Sequence, residues 1–432
     1  MALRPRSSRR TPQTDELTTP AEHDVLVDAV ADQVPRAVWL IAGGIFAMVT
    51  SEFMAAGLLP EISNDVGVSI GAASMLISGF AAGQVLGPWL VGIPLSRFGP
   101  RVVLPGLLAI FALAQTTGVI SPWPVMLGMR MLSGLIMAAY FSLALGTTTR
   151  LVQGEAQPRA TAAVFAGVTI GTTLGLPLAT FAGQSLTWTS AFHVDTLAVL
   201  VAATTIAVAM PSTPGVPPAP VRQLLRELSS VRLWGTFVTA ALSIGGTLVA
   251  FSFFSAILQG VTHVDGALVP WMLAVYGAAS IVGNWAVGRI THTGPSRVVG
   301  FGLVILVLGL VAFRVAPDSL PVALVALVIV GASGISLNSA HTARILAVGG
   351  ATPAVMAMTP TVVTGGILLG TALGGIVADQ YGLLAPLVVG ALLAALALVT
   401  VLADAASTRR VVSSPAVAAI EGDDPCRDPC AA

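Results

Sequence analysis

Twelve stretches of about twenty apolar residues leave this chain few ways to fold. They lie at roughly 37–59, 70–95, 102–120, 124–149, 160–182, 190–210, 233–258, 267–290, 297–316, 320–346, 354–378 and 383–404. A bilayer core of ~30 Å takes ~20 residues of helix to cross, and each segment has that length. In hydrocarbon a helix satisfies its own backbone, so repeated long apolar runs point to spanning helices rather than strands. Charged residues are 9% of the 432, against about 25% in soluble domains, and the mean hydropathy is +0.89. The expected fold class is therefore an all-α integral membrane protein with twelve transmembrane helices. Turn chemistry separates the segments, as in Ser121-Pro122-Trp123-Pro124 and Ala316-Pro317-Asp318. The short connections make neighbouring helices antiparallel.

All 20 basic residues are Arg, and their positions set an orientation. Arg4, Arg6, Arg9, Arg10 and Arg36 fall in the N-terminal tail, and Arg409, Arg410 and Arg427 in the C-terminal tail. Arg97, Arg101, Arg150, Arg159, Arg222, Arg226, Arg232, Arg289, Arg297 and Arg344 lie at even-numbered connections on the same side. Both termini are thus expected in the cytoplasm. Only Arg130 and Arg314 stand inside or at the far end of a helix. Met1 to Arg36 contains no apolar core of signal-peptide type, which leaves targeting to the first spanning helix. Because the charges are segregated, the net charge of zero says little about partners.

The organisation expected is a cytoplasmic tail (1–36), a six-helix half (37–210), a cytoplasmic linker (211–232), a second six-helix half (233–404) and a cytoplasmic tail (405–432). The linker opens on PSTPGVPPAP, Pro211 to Pro220, whose prolines favour extended structure. It continues into VRQLLRELSSVR, where Leu224, Leu225 and Leu228 share one face of an interfacial amphipathic helix. An internal repeat relates the halves: Trp89–Val103 matches Trp285–Val299 without gaps. A second match pairs Gly167, Gly171, Thr172, Gly175 and Gly183 with Gly366, Gly370, Thr371, Gly374 and Gly382. Parallel repeats of this kind place a substrate site near the midplane between two pseudo-symmetric halves.

Within the first span lies TSEFMAAGLLP, Thr50 to Pro60, with a single carboxylate, Glu52. A charge at the bilayer centre costs on the order of 3 kcal/mol on insertion scales and needs a partner or a function. Burial disfavours a charged carboxylate and a nearby cation favours it. A group balanced between the two exchanges a proton as its exposure changes, whereas a fixed structural pair does not. Arg130, in LGMRMLSGL, is either its buried cation or a side chain snorkelling to the outer interface. Arg314 reads as snorkelling. Asp195 and His193 read as interfacial, with proton handling as their second reading. Gln84, Gln115, Tyr140, Asn284 and Asn338 are each interhelical glue or, with Phe53, Phe80, Phe141, Trp271 and Tyr276, the wall of an amphipathic cavity. Gly167, Gly171 and Gly175, followed by Pro177, form a smooth helix face. It serves either static packing or a rocking motion between halves. His341 and Asp379 read as boundary residues near cytoplasmic helix ends.

Several classes are excluded or unsupported. A chain without Lys cannot carry a P-loop lysine, and neither H-E-x-x-H nor a paired-Cys zinc motif occurs. Cys426 and Cys430 sit in a short charged tail and give no disulfide framework. No nucleophile–base pair stands out, so no enzyme, cofactor or metal is expected, and a proton gradient is the expected energy source.

These residues together resemble the major facilitator superfamily, in its twelve-helix drug:proton antiporter branch, over about residues 37–404. TSEFMAAGLLP followed by DVGVSIGAA is similar to the opening of chloramphenicol-resistance and arabinose (sugar) efflux permeases. GIPLSRFGPRVV matches the loop 2–3 motif, with Gly92, Arg97, Gly99 and Arg101 in place. Arg130 and Gly134 match the helix 4 motif, whose Arg is implicated in proton transfer across the family. GVTIGTTLGLP matches the antiporter helix 5 motif. Ser96 stands where the loop motif usually has an acid, Ser133 where a Gln is common, and Ser190 where an Arg often follows Trp188. The resemblance implies proton-coupled efflux of a small amphiphilic, chloramphenicol-like drug across the cell inner membrane. A sugar or metabolite efflux permease of the same fold is the alternative, and a non-transporting membrane sensor a third. The expected partners are the lipid bilayer, a small-molecule substrate and protons, with no nucleic acid, for a chain acting as a monomer.

Overall fold

The computed structural model describes residues 34–215, 226–350 and 352–412. Among them eleven helices are long and apolar enough to cross a membrane, and one bent pair supplies a twelfth span. We number them α1 (Arg36–Gly57), α2 (Ile70–Leu95), α3 (Pro100–Val119), α4 (Trp123–Leu151), α5 (Gln157–Gly175 with Pro177–Gly183), α6 (Trp188–Ala209), α7 (Val231–Gly260), α8 (Gly266–Thr293), α9 (Pro295–Val315), α10 (Leu320–Gly349), α11 (Ala354–Tyr381) and α12 (Ala385–Asp404). The starts carry the expected chemistry. Ser69 accepts from the Ala72 amide at 3.0 Å to cap α2, and Thr187 accepts from the Ser190 amide at 3.1 Å to cap α6. After α1, Pro60 opens a short helix, Leu59–Val66, which ends at Gly67 with φ 72°. A side chain rarely adopts that left-handed conformation, so glycine closes the helix there. α5 bends by about 40° at Pro177, which has no N–H for the preceding turn.

The pairing of helices repeats. α1 packs on α5 and α6, α3 on α4 and α6, and α2 on α4. α7 packs on α11 and α12, α9 on α10 and α12, and α8 on α10, which is the first set with six added to every number. The two sets meet through α2 with α11 and α5 with α8, and adding six exchanges those contacts too. This is the geometry expected of two six-helix repeats.

The glycine face of α5 is turned inward within its own half. A Cβ at Gly167 would run into the Ala42 carbonyl of α1, and one at Gly175 into Thr50. Its repeat does the same, Gly366 against Ala241 and Gly370 against Gly245 of α7. The rocking interface between halves is therefore not this face: close α1–α5 and α7–α11 packing explains it. Gly167→Leu is expected to lower the yield of monodisperse protein in size-exclusion chromatography, because backbone on α1 cannot yield to the added side chain.

The arginine-bearing connections gather at one end of the bundle. There Arg101 donates to the Ala207 carbonyl at 3.3 Å and to Ser212 Oγ at 3.2 Å, while Arg150 donates to the Pro214 carbonyl at 2.9 Å. The loop 2–3 motif thus clasps the start of its own half's linker. Gly99 packs near the Thr213 carbonyl, Arg97 is exposed over the Phe98 ring, and Gly92 has ordinary contacts with Ala139. In the second half Asp404 joins Arg344 at 2.9 Å and Arg232 at 3.4 Å. Of the three leucines assigned to an interfacial helix, Leu224 and Leu225 lie outside the described residues. Leu228 is buried against the second half, in a cluster with Leu233, Phe237 and Val355, rather than turned to lipid.

Bonds between the halves lie from the middle of the bundle to the opposite end. Ser69 Oγ and the Gly71 amide donate to the Asp379 carboxylate at 2.8 and 3.0 Å. Ser78 and Thr371 share a hydrogen bond of 2.8 Å, and Ser255 Oγ donates to the Gly57 carbonyl at 2.9 Å. Asp379 is therefore not near the arginine-rich end, as its sequence position suggested. α11 is an odd-numbered span, so its last turn lies at the opposite end, where it meets the N-terminus of α2.

Candidate functional site

The close α2–α4 approach builds the site. Gly134 lies on the Phe80 carbonyl, with no room for a Cβ, and one turn earlier Arg130 lies over the Phe80 ring at 4.5 Å. The Phe192 ring of α6 is 5.7 Å away on another side. Arg130 donates to Ser51 Oγ at 3.3 Å and to the carbonyls of Ser51 and Glu52 at 3.2 and 3.4 Å. With 4% exposure, Arg130 is a buried cation and does not snorkel. Arg314, by contrast, is exposed in the last turn of α9.

Among the described residues no carboxylate oxygen lies within 4.0 Å of Arg130. Its electrostatic neighbours are Glu52 and Asp195. Glu52 is half-buried and has Gln84 beside it as well as Arg130. One cation thus sits between two carboxylates. In a medium of low dielectric, such a set favours one ionised carboxylate at a time.

Asp195 is buried on α6 and does not sit at the interface, which corrects the reading from sequence. Gln115 of α3 donates to its Oδ2 at 2.9 Å, to Thr196 Oγ1 at 3.0 Å and to the Phe192 carbonyl at 3.0 Å. The Gln115 carbonyl oxygen in turn accepts from Ser51 Oγ. Ser51 is the residue that sequence reasoning missed: a serine beside a carboxylate gives no signal until helix packing brings Arg130 and Gln115 to it. His193 is exposed and takes no part.

An aromatic wall stands beside Glu52 where the halves meet. Phe53 meets Phe251 of α7 edge-on at 5.8 Å, and Phe251 lies 4.7 Å from Tyr276 of α8. Phe254 extends the wall, 6.0 Å from both rings. Of the cavity candidates, Phe53 and Tyr276 belong here, and Gln84 lies near with its Oε1 unpartnered. Tyr140 is buried away from the wall, its hydroxyl donating to the Ile41 carbonyl at 3.3 Å beside Gly44. Gln115 belongs to the Asp195 network. Phe141 pairs with Phe165 of α5 at 5.7 Å. Asn284 and Asn338 are exposed, toward the arginine-rich end of α8 and α10, and Trp271 is exposed at the other end of α8. His341 is buried with both ring nitrogens unpartnered, so it is not a boundary residue.

Residues 41–349 match the model of the Major Facilitator Superfamily. The chain is 31% identical to the "Chloramphenicol resistance protein" of Streptomyces lividans, over 84% of this chain and 95% of that protein. It is 28% identical to the "Inner membrane transport protein YdhP" of Escherichia coli (strain K12), over 84% of this chain and 94% of that one. Among solved structures, a bacterial homologue of the human lysosomal transporter Spinster, in an inward-facing and unoccupied conformation, superposes with a TM-score of 0.64. That match has 16% identity over 85% of this chain and 97% of the other, and shows the fold.

Proposed function

Because this chain belongs to the Major Facilitator Superfamily, a family of multi-pass membrane transporters and not of enzymes, we propose that it exports a small amphiphilic drug in exchange for protons. Chloramphenicol-like compounds are the substrate class, and the cytoplasmic membrane is the site of action. The observation that carries the reading is the half-buried Glu52 beside buried Arg130, next to an aromatic wall shared by both halves. The likeness to a chloramphenicol resistance protein supports the substrate class.

The arginine-rich end faces the cytoplasm under the positive-inside rule. The bonds through Asp379, Ser78 and Ser255 then hold the outer end closed, in a state that receives drug from the cytoplasm. Opening the outer end exposes Glu52 to the more acidic side. Its protonation favours drug release there, and its deprotonation after return resets the site.

A test of this proposal measures chloramphenicol resistance and sugar efflux in a host lacking its own exporters. Resistance that needs Glu52 supports the proposal, and sugar efflux without resistance replaces it with the permease of the same fold. The outer closure has its own expected result. Asp379→Ala removes an acceptor bonded to Ser69 and Gly71, worth about 1.5 kcal/mol for one charge-assisted bond. It should raise labelling of a Phe53→Cys probe by an outside maleimide roughly tenfold. The background carries Cys426→Ser and Cys430→Ser, and an unchanged labelling rate would show that Asp379 does not hold the gate.

A further inference from the structure

Proton coupling through Glu52 and Arg130 leaves one buried carboxylate among the described residues, Asp195, without a role. Asp195 lies on α6, which packs against α1, α3 and the second segment of α5. The spans of α3 and α5 that cross there carry no charged residue between Val102 and Val119 or between Ala160 and Ser185. On α1 the one charge within the span's membrane-embedded part is Glu52, and Arg130 reaches in from α4. On α6 itself His193 points away and is exposed. Asp65, bonded to the Trp188 indole at 2.8 Å, closes the end of the helix. Among the described residues the cation that Asp195 answers is therefore Arg130, the one Glu52 also answers.

The hydrogen bonds between them run in one direction. Arg130 donates to Ser51 Oγ, Ser51 donates to the Gln115 carbonyl oxygen, and the Gln115 amide donates to Asp195. Arg130, Ser51, Gln115 and Asp195 are each more than nine-tenths buried. The Arg130 Nε, buried and unpartnered, leaves a donor free for a new acceptor. An arginine held by one serine and two carbonyls, with no carboxylate of the described residues in direct contact, is free to pair with either side.

We infer that Asp195 is the second anionic partner of Arg130, to which the guanidinium passes when Glu52 takes up a proton, and that Gln115 is the positioning residue that holds Asp195 ready. The inference rests on the proton-coupled reading above and deepens it. A hydronium in the outer water gives its proton to the Glu52 carboxylate, breaking one of its own O–H bonds and remaining as water; Arg130 keeps its charge, and its compensating anion changes from Glu52 to Asp195. The cluster so avoids an unpaired guanidinium in hydrocarbon during the proton-loaded return.

The test has two arms on the full-length protein. In substrate-free protein, the infrared carboxylic-acid band abolished by Glu52→Gln is titrated between pH 5 and 9. Asp195→Asn, which keeps a polar partner for Gln115, and Gln115→Leu should each move its midpoint by about one pH unit or more. His193→Ala, on the exposed face of the same helix, leaves it in place. An unmoved midpoint in both variants, or the absence of any Glu52 band in this range, overturns the inference whatever the substrate. In proteoliposomes, with radiolabelled chloramphenicol as the probe, Asp195→Asn should lower uphill transport about tenfold and change its pH profile while sparing downhill exchange. Asp195→Glu should restore part of the loss. Uphill transport equal to wild type with the same pH profile would make Asp195 purely structural. Loss of coupling in Glu52→Gln with none in Asp195→Asn would refute the inference and leave the proposed function standing. No proton-driven movement by wild type would sink the proposed function, while the infrared arm still decides the Asp195–Arg130–Glu52 linkage.

Discussion

Glu52→Gln is expected to lose proton-driven efflux of chloramphenicol by on the order of 100-fold, a coupling free energy near the upper end of the usual 1–3 kcal/mol. Gln matches Glu in size and still hydrogen-bonds Gln84's side of the site, so folding and drug entry should survive. What disappears is a half-buried titratable group beside the aromatic wall and Arg130. Exchange of labelled for unlabelled drug across proteoliposomes should therefore persist while accumulation against a gradient fails. If the variant still pumped uphill at the wild-type rate, coupling would have to reside elsewhere.

Arg130→Leu should do more damage, because Arg130 is structural and electrostatic at once. It ties α4 to the last turns of α1 through Ser51 and Glu52, and stacks on Phe80. Removing one member of a buried charge set commonly costs about 3–5 kcal/mol, since the remaining charges are left uncompensated. A lowered unfolding temperature in detergent, together with loss of uphill transport, is the expected result. Arg130→Lys separates the two effects. An ammonium keeps the charge but lacks the planar fork that reaches Ser51 and Glu52 together. It should recover most of the stability and little of the coupling. Wild-type transport in Arg130→Leu would remove Arg130 from the mechanism.

The spans could be read from the sequence because the bilayer imposes length and composition on each of them. Glu52 and Arg130 were legible for the same reason: a charge in an apolar run announces its own cost. What the spacing of small residues does not disclose is which neighbour comes close. Gly167, Gly171 and Gly175 promised a close approach, and the structure places it on α1 within one half. Close approaches between halves instead use Gly71 and Gly375, where a Cβ on either would meet the other's carbonyl, and Gly277 against the Thr173 carbonyl. None of these three glycines belongs to the repeat of spaced glycines that drew attention to α5. Asp379 was misplaced because its end of the bundle depends on the parity of its helix, not on its distance from a turn. Ser51 and the Gln115–Asp195 bond became visible only after packing, since their partners lie 64 to 80 positions away in sequence.

The most direct test of proton-coupled export uses proteoliposomes loaded with a fluorescent pH indicator and no imposed gradient. Chloramphenicol added outside should enter through the wild-type protein and expel protons, making the lumen more alkaline, and Glu52→Gln should give no such signal. Drug uptake by the wild type with no change in lumenal pH would contradict the account.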